Sequence, residues 1–164
     1  MSYGSGQRRM SVALIVVVDD SITNRTIFSR LARSIADDAF VQSFSDPQAM
    51  LAWAGEHSPD LIVTDYKMPG MDGAEFVGRL RGLPLTRDVP IIVITAYEDR
   101  EFRIRALNAG ATDFLRTPVD HQEFVTRSRN LLKLGQQQKL LQLHAQGLER
   151  EPRPYVKAAR ACSR

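Results

Sequence analysis

Three aspartates stand directly after apolar runs of the chain. Asp19 and Asp20 follow the run Val12–Val18. Asp65 follows the run Leu61–Thr64. If these runs are neighbouring parallel strands, the three carboxylates lie at the same edge of one sheet and repel one another until a cation neutralises them. Mg²⁺ prefers oxygen ligands of this kind, so the spacing favours a magnesium site over the alternative that each aspartate is only a helix cap or a solvated turn residue.

A hydroxyl group follows another apolar run. Thr95 comes directly after Ile91–Ile94. A carboxylate, a metal ion and a hydroxyl at one sheet edge can receive a phosphoryl group, because an aspartate can attack phosphorus to form an acyl phosphate while Mg²⁺ balances the charge on the transferred oxygens. The adjacent Asp19 and Asp20 can both serve the metal. Asp65 is therefore the better candidate for the phosphate acceptor.

The apolar runs behind these residues belong to a set of five. Several consist of consecutive β-branched residues, which is typical of parallel strands that are buried on both faces. The predicted strands are Val12–Val18, Phe40–Phe44, Leu61–Thr64, Ile91–Ile94 and Phe114–Leu115.

Helix signals separate the predicted strands. Asp72 and Asp120 each precede a glutamate by three positions, as in a capping box. Asp46 is followed by a proline at the first helical position, where the missing N–H costs nothing. Gly110 is predicted to end the fourth helix in a left-handed conformation.

The first helix has an apolar residue at every fourth position, namely Ile27, Leu31 and Ile35, which predicts one buried stripe. Five strands that alternate with five helices predict an α/β fold with a doubly wound, five-stranded parallel sheet. Such sheets are commonly ordered 2-1-3-4-5, and their ligands bind at the carboxyl ends of the strands.

The length of 164 residues fits one compact domain with a short appendage. The single cysteine, Cys162, excludes an intramolecular disulfide framework and a cysteine zinc site. The run Val12–Val18 is far shorter than the ~20 residues that span a bilayer. We therefore expect a cytoplasmic protein without a membrane partner.

The charge pattern argues against direct binding of nucleic acid. The net charge is +3, but residues 1–10 and 149–164 together carry +5, which leaves −2 for residues 11–148. Nucleic-acid binding needs a basic face on folded structure, and the central part of this chain has no surplus from which to build one.

Four motifs together give the chain its resemblance to a known family. They are VVDDS (17–21), LIVTDYKMPGMDG (61–73), IVITA (92–96) and GATDFLRTPV (110–119). In order and spacing they resemble the receiver domain of two-component response regulators, over about residues 11–133. The resemblance implies a flavodoxin-like fold and reversible transfer of a phosphoryl group to Asp65 from a sensor histidine kinase or phosphotransfer protein. Such a domain catalyses only its own phosphorylation and dephosphorylation.

The resemblance also assigns roles to individual residues. Mg²⁺ would be bound by Asp20, Asp65 and the main-chain carbonyl of Lys67, and Asp19 would act through water. Thr95 would move toward the phosphoryl group. Phe114 would be the aromatic residue that repacks with Thr95.

One position departs from the family pattern. The lysine that pairs with the phosphoryl group in the family is replaced by Thr117. Arg116 is adjacent, but neighbouring residues of a strand point to opposite faces, so it is not expected to reach the crevice. Lys67 could supply a charge at the rim, although exposed pairs contribute only ~0 to 1 kcal/mol. The bond before Pro118 is a candidate for a cis peptide.

Beyond Leu131 the pattern stays helical to Leu148, with Leu134 and Leu141 at heptad spacing. Fewer than three heptads make this a weak coiled-coil signal. It leaves open an overhanging last helix, a dimerisation stalk or a linker to an output module. The predicted division is a disordered tail at 1–10, the receiver domain at 11–133, the extension at 134–151 and a second disordered tail at 152–164.

Two functions remain open at this point. In the first, Asp65 is phosphorylated and the signal leaves through the surface formed by the fourth helix, fifth strand and fifth helix. In the second, the domain is a degenerate receiver that binds or dimerises without phosphate. A homodimer through the C-terminal helix or through that same surface is a further expectation.

Overall fold

The computed structural model describes residues 12–96 and 100–147. The tails predicted at 1–10 and 152–164 lie outside the described residues. Five strands alternate with five helices. They are β1 (Leu14–Val18), α1 (Ile22–Arg33), β2 (Phe40–Phe44), α2 (Pro47–Ala54), β3 (Leu61–Asp65), α3 (Gly73–Arg81), β4 (Ile91–Thr95), α4 (Arg100–Ala109), β5 (Asp113–Arg116) and α5 (His121–Ala145).

The strands form one parallel sheet in the order β2-β1-β3-β4-β5. The predicted fold class and strand order are confirmed. The sheet is covered on both sides, because α1 and α5 contribute to one apolar cluster and α2, α3 and α4 to the other. β1 and β3 are neighbours, with Val18 opposite Thr64, so the residues that follow them emerge side by side.

The predicted helix starts are confirmed by their side-chain caps. The carboxylate of Asp46 accepts a hydrogen bond from the Gln48 N–H at 3.0 Å. Asp72 and Asp120 each accept one from the N–H of the glutamate three positions later, at 2.8 Å. Gly110 has a φ of +111°, so it does end α4 in a conformation that favours glycine.

The predicted stripe of α1 is confirmed at Ile35, which is buried, and at Leu31, which packs against the core, but it is wrong at Ile27. Ile27 is 40% exposed, whereas Phe28 and Ala32 are buried. The ring of Phe28 packs 5.6 Å from the ring of Phe124 on α5. Since one residue turns a helix by about 100°, burying the larger aromatic ring rotates Ile27 toward solvent. Ile35 is buried but lies beyond the end of the helix.

The last turns of α5 rest against the amino-terminal edge of the sheet. Lys139 Nζ lies 2.7 Å from Asp60 Oδ1 and 3.2 Å from the carbonyl of Pro59. The other oxygen of Asp60 accepts a hydrogen bond from the Leu14 N–H at 2.9 Å. The helix ends at Ala145, three residues before the predicted end, because Gly147 takes a φ of +66°. Across the described ranges, no helix has the length and apolar character that a membrane crossing requires.

Gly135 allows this close approach of α5. A Cβ atom at this position would lie 2.9 Å from Cγ of Pro90, a ring that cannot easily move. Gly78 on α3 is the matched case, because nothing lies within 4 Å of the equivalent position. An alanine at Gly78 therefore changes helix propensity alone, whereas an alanine at Gly135 changes both helix propensity and packing.

We expect Gly78→Ala to raise the free energy of unfolding by about 0.5–1 kcal/mol through helix propensity. Gly135→Ala should lower it by about 1 kcal/mol, since overpacking outweighs the same gain in propensity. Urea denaturation followed by circular dichroism measures both values. Equal stabilisation by the two substitutions would show that α5 does not pack closely on Pro90.

Candidate functional site

The predicted aspartates converge at the carboxyl edge of the sheet. Carboxylate oxygens of Asp19, Asp20 and Asp65 all lie within 4.8 Å of one another. We call this cluster the acidic notch. Asp19 follows β1 and is 2% exposed, Asp65 is the last residue of β3 and is partly buried, and Asp20 is exposed. Because β1 and β3 are adjacent parallel strands, the residues at their carboxyl ends lie side by side.

Hydrogen bonds orient the two more buried carboxylates. Asp19 Oδ1 accepts a bond from the Ser21 N–H at 2.9 Å, and Asp65 Oδ1 accepts one from the Tyr66 N–H at 2.9 Å. The main-chain carbonyl of Asp19 accepts a bond from the Arg25 guanidinium at 2.8 Å. These contacts fix the positions of the carboxylates.

The electrostatics of the notch favour a bound cation. Burial, followed by repulsion from Asp19, raises the pKa of Asp65 to about 6. The hydrogen bonds that oppose this shift in the pKa come from the backbone N–H groups of Tyr66 and Lys67. Burial also raises the pKa of Asp19. The carboxylates of Asp19 and Asp65 are costly to keep ionised because they are buried or partly buried and face one another. A hard divalent ion such as Mg²⁺, which prefers oxygen ligands, would offset that cost.

A tight loop carries the chain from Asp65 to α3. Gly70 has a φ of +80°, and a Cβ atom on Gly73 would lie 2.8 Å from Cα of Tyr66. The Gly73 N–H donates a hydrogen bond to the carbonyl of Tyr66. Lys67 lies in this loop with an exposed side chain. Its carbonyl as a metal ligand stays a prediction.

Thr95 lies at the same sheet edge as the notch. Asp65 is opposite Ile94 in the β3–β4 register, so the next residue of β4 stands beside the notch. Thr95 is 1% exposed, and its carbonyl accepts a hydrogen bond from the Thr117 N–H at 2.9 Å. Residue 117, where the sequence predicts the loss of the family's lysine, is thus tied to β4 through its backbone.

The remaining predicted residues lie around β5. Phe114 is partly buried, and the Arg103 guanidinium lies 5.6 Å from the centroid of its ring. Arg116 is exposed at the end of the strand. The peptide bond between Thr117 and Pro118 is cis, as predicted.

Two residues beside the notch were missed by the sequence analysis. Arg25 holds the carbonyl of Asp19, and its charge lowers the pKa of that side chain. Tyr66 is 3% exposed, and its ring packs 5.1 Å from Phe102 on α4. An arginine in the first turn after the cap Ser21 is a weak signal for the first contact. No pattern in the sequence predicts the second contact, between Tyr66 and Phe102.

The chain belongs to the response regulator receiver domain family. The model of that family matches residues 15–129. The matched stretch contains every strand from Ile15 onward and the whole acidic notch. The family is one of signalling domains.

Two curated relatives are response regulators of greater length. The chain is 42% identical over 149 residues to the cyclic di-GMP phosphodiesterase response regulator RpfG of Xanthomonas campestris pv. campestris, covering 90% of this chain and 39% of that protein. It is 38% identical over 121 residues to the response regulator PleD of Caulobacter vibrioides, covering 74% of this chain and 26% of that protein. The chain therefore spans well under half of either relative.

Solved structures of receiver domains share the fold. A response regulator structure from Chloroflexus aurantiacus superposes with a TM-score of 0.69 at 30% identity, over 75% of this chain and 99% of that one. The receiver domain of the sensor histidine kinase PA1611 from Pseudomonas aeruginosa gives 0.68 at 26% identity, over 75% and 99%. That second structure has a magnesium ion coordinated in its active site cleft.

We expect Asp65→Asn to stabilise the metal-free protein. A carboxyl whose pKa rises on folding contributes most stability when protonated, and that contribution is lost as the pH rises through about 6. Above about pH 7 in a chelator, Asp65→Asn should therefore raise the free energy of unfolding by about 1 kcal/mol, after allowance for partial exposure. The gain should vanish near the ordinary aspartate value of 3.8.

Thermal and urea unfolding across pH measure this difference. The exposed Asp37→Asn is the matched control and should leave stability unchanged. Addition of Mg²⁺ should stabilise the wild type more than Asp65→Asn, because the ion binds the folded carboxylates. An Asp65→Asn protein that is less stable than the wild type in chelator would contradict the description of the notch as a repulsive cluster.

Proposed function

We propose that Asp65 accepts a phosphoryl group from a histidine kinase or a phosphotransfer protein. The observation that carries this proposal is the convergence of three carboxylates within 4.8 Å at a sheet edge that also holds Thr95. In the transfer, a carboxylate oxygen of Asp65 attacks phosphorus, the P–N bond of the donor phosphohistidine breaks, and the imidazole leaves and takes a proton from solvent.

The residues at this sheet edge have different proposed roles in the reaction. Asp19 and Asp20, with Asp65 and the Lys67 carbonyl, are proposed to hold Mg²⁺, which supplies positive charge against the phosphoryl oxygens when bound. The buried hydroxyl of Thr95 is proposed to donate to a phosphoryl oxygen after transfer. Asp65 remains mostly ionised at neutral pH, since its pKa is about 6. It can therefore act as a nucleophile without a separate base.

The output of the domain is proposed to leave through the surface of α4, β5 and α5. Thr95 ends β4 and contacts the chain after β5 through the Thr117 N–H. Phe114 lies on the same strand, three residues before Thr117. A phosphoryl group at Asp65 would alter the environment of Thr95 first. The hydrogen bond from the Thr117 N–H to the Thr95 carbonyl offers a direct route from there to that surface.

Intact-mass measurement tests the phosphotransfer. Treatment with Mg²⁺ and a small phosphodonor such as acetyl phosphate should add the mass of one phosphoryl group to the wild type and to Asp37→Asn. Asp65→Asn should show no adduct. Removal of Mg²⁺ by a chelator should slow the reaction at least about tenfold.

The second candidate is a receiver that binds or dimerises without phosphate. The observation that favours it is the exposure of Leu134 and Leu141 on α5, at 56% and 67%. Absence of an adduct at Asp65 under any condition would refute the phosphotransfer. If a dimer were then found by sedimentation without phosphodonor or Mg²⁺, the second candidate would replace it.

Restoring the missing lysine should strengthen the response to phosphate. In Thr117→Lys, an ammonium group near the phosphoryl position is expected to add about 1 kcal/mol, or about a fivefold gain in affinity for the phosphate mimic beryllofluoride. Titration calorimetry with Mg²⁺ measures this affinity. Thr117→Met adds length without charge and is the matched control. An equal gain in both variants would show that charge at this position is unimportant.

A further inference from the structure

The peptide bond between Asp19 and Asp20 is held by a side chain from α1. The Arg25 guanidinium donates a hydrogen bond of 2.8 Å to the main-chain carbonyl of Asp19, and Arg25 is partly buried there. That carbonyl belongs to the peptide that leads to Asp20. Arg25 therefore restrains the plane of this peptide, and with it the direction in which the backbone presents Asp20.

The start of α1 brings Arg25 to this position. Ser21 caps the helix, because its hydroxyl accepts a hydrogen bond from the Asn24 N–H at 3.4 Å. The carbonyl of Ser21 accepts the next bond, from the Arg25 N–H, at 2.9 Å. Helical side chains lean toward the amino terminus of their helix. A side chain one turn into α1 therefore reaches back over the loop that carries the two aspartates.

Asp19 and Asp20 differ in how firmly they are held. The Asp19 N–H donates to the carbonyl of Phe44 at 3.1 Å, and the Asp19 carboxylate accepts a bond from the Ser21 N–H at 2.9 Å. Asp20 is exposed, and among the residues that the structure describes no group donates a hydrogen bond to its carboxylate. The position of the Asp20 carboxylate thus depends on the backbone that Arg25 holds.

The hydrogen bond of Arg25 and its charge have opposite effects on a bound cation. A positive charge near the notch repels Mg²⁺, so the charge alone would weaken the binding of the ion. The charge of Arg25 lowers the pKa of Asp19, but burial, a backbone hydrogen bond and the neighbouring Asp20 all shift that pKa more. Solvent screens a charge at a distance, whereas a hydrogen bond from a charged donor acts at contact. The hydrogen bond is therefore the larger effect.

We propose that Arg25 is a positioning residue for the cation site, which holds the loop between β1 and α1 so that Asp20 can share the ion with Asp65. This inference rests on the proposed function, in which the carboxylates of the notch hold Mg²⁺ during phosphotransfer. Arg25 acts through the backbone and touches neither the ion nor the phosphoryl group. Its effect is therefore on the affinity for Mg²⁺ and not on the rate of the reaction once the site is full.

Titration calorimetry of the full chain with Mg²⁺, without a phosphodonor, tests the inference. Arg25→Met removes the donor and should weaken Mg²⁺ binding about tenfold, the effect of one hydrogen bond from a charged group. Arg25→Lys keeps a charged donor and should recover most of that loss. Arg30→Met, which removes the same charge from an exposed position on α1, should leave the affinity unchanged.

A second background separates positioning from overall stability. If Arg25 acts through Asp20, then Arg25→Met in the Asp20→Asn protein should change the affinity for Mg²⁺ by less than about twofold, because coupled substitutions are not additive. Circular dichroism in chelator shows whether each variant is folded. Arg25→Gln, whose side chain is too short to reach the same carbonyl, takes the place of Arg25→Met if that variant does not fold.

Unchanged or tighter Mg²⁺ binding by Arg25→Met would overturn the inference, and tighter binding would show that repulsion by the charge dominates. An equal loss of affinity in the Asp20→Asn background would also overturn it, since the effect would then not pass through Asp20. Intact mass after phosphodonor treatment is measured on the same samples. An adduct on the wild type together with unchanged Mg²⁺ affinity in Arg25→Met refutes only this inference. Weaker Mg²⁺ binding in Arg25→Met without any adduct on the wild type refutes only the phosphotransfer.

Discussion

The burial of mutually repelling carboxylates at one sheet edge is the constraint on which the other features of this domain depend. β1 and β3 are neighbours and parallel, so the residues that follow them must emerge together. Asp19 is almost fully buried there and Asp65 partly so, which removes much of the water that would otherwise screen them. The raised pKa of Asp65 expresses the cost of ionising it in this position. A cation relieves that cost, and so do the backbone N–H groups of the loop that follows.

If Thr117 stands in place of the family's lysine, as the sequence predicts, those other groups become more important. The side chain of a threonine cannot carry a positive charge to the notch. What remains at this position is a backbone contact, the hydrogen bond from the Thr117 N–H to the carbonyl of Thr95. On the other side of the notch, Arg25 holds the carbonyl of Asp19 and lowers the pKa of that side chain. Arg25 on α1 is thus one source of positive charge beside the notch.

The sequence predicted the features that depend on local pattern. Five strands, the caps at Asp46, Asp72 and Asp120 and the end of α4 at Gly110 all follow from residue types at short spacing, and the structure confirms them. The convergence of the three aspartates follows from parallel topology alone. The stripe of α1 could not be placed to the residue, because Ile27 and Phe28 are both apolar and only the contact with α5 decides which one is buried.

Contacts between side chains and distant main-chain carbonyls could not be predicted. Arg81 donates hydrogen bonds to the carbonyls of Val89 and Gly110, and so ties the end of α3 to the chain on both sides of α4. Lys139 on α5 donates to the carbonyl of Pro59, a residue 80 positions away. A carbonyl is present at every position, so such contacts impose no pattern on the residue that accepts them. They appear only once the fold has brought the two segments together.

The two edges of the sheet differ in what they hold together. At the amino-terminal edge, Asp60 joins Leu14 of β1 to Lys139 of α5, and Gly135 lets the helix lie directly on Pro90. These contacts hold the second half of α5 in place. The beginning of the same helix contacts β5, where Arg127 pairs with Asp113 at 2.9 Å. The helix is therefore held against β5 near its start and against Asp60 near its end.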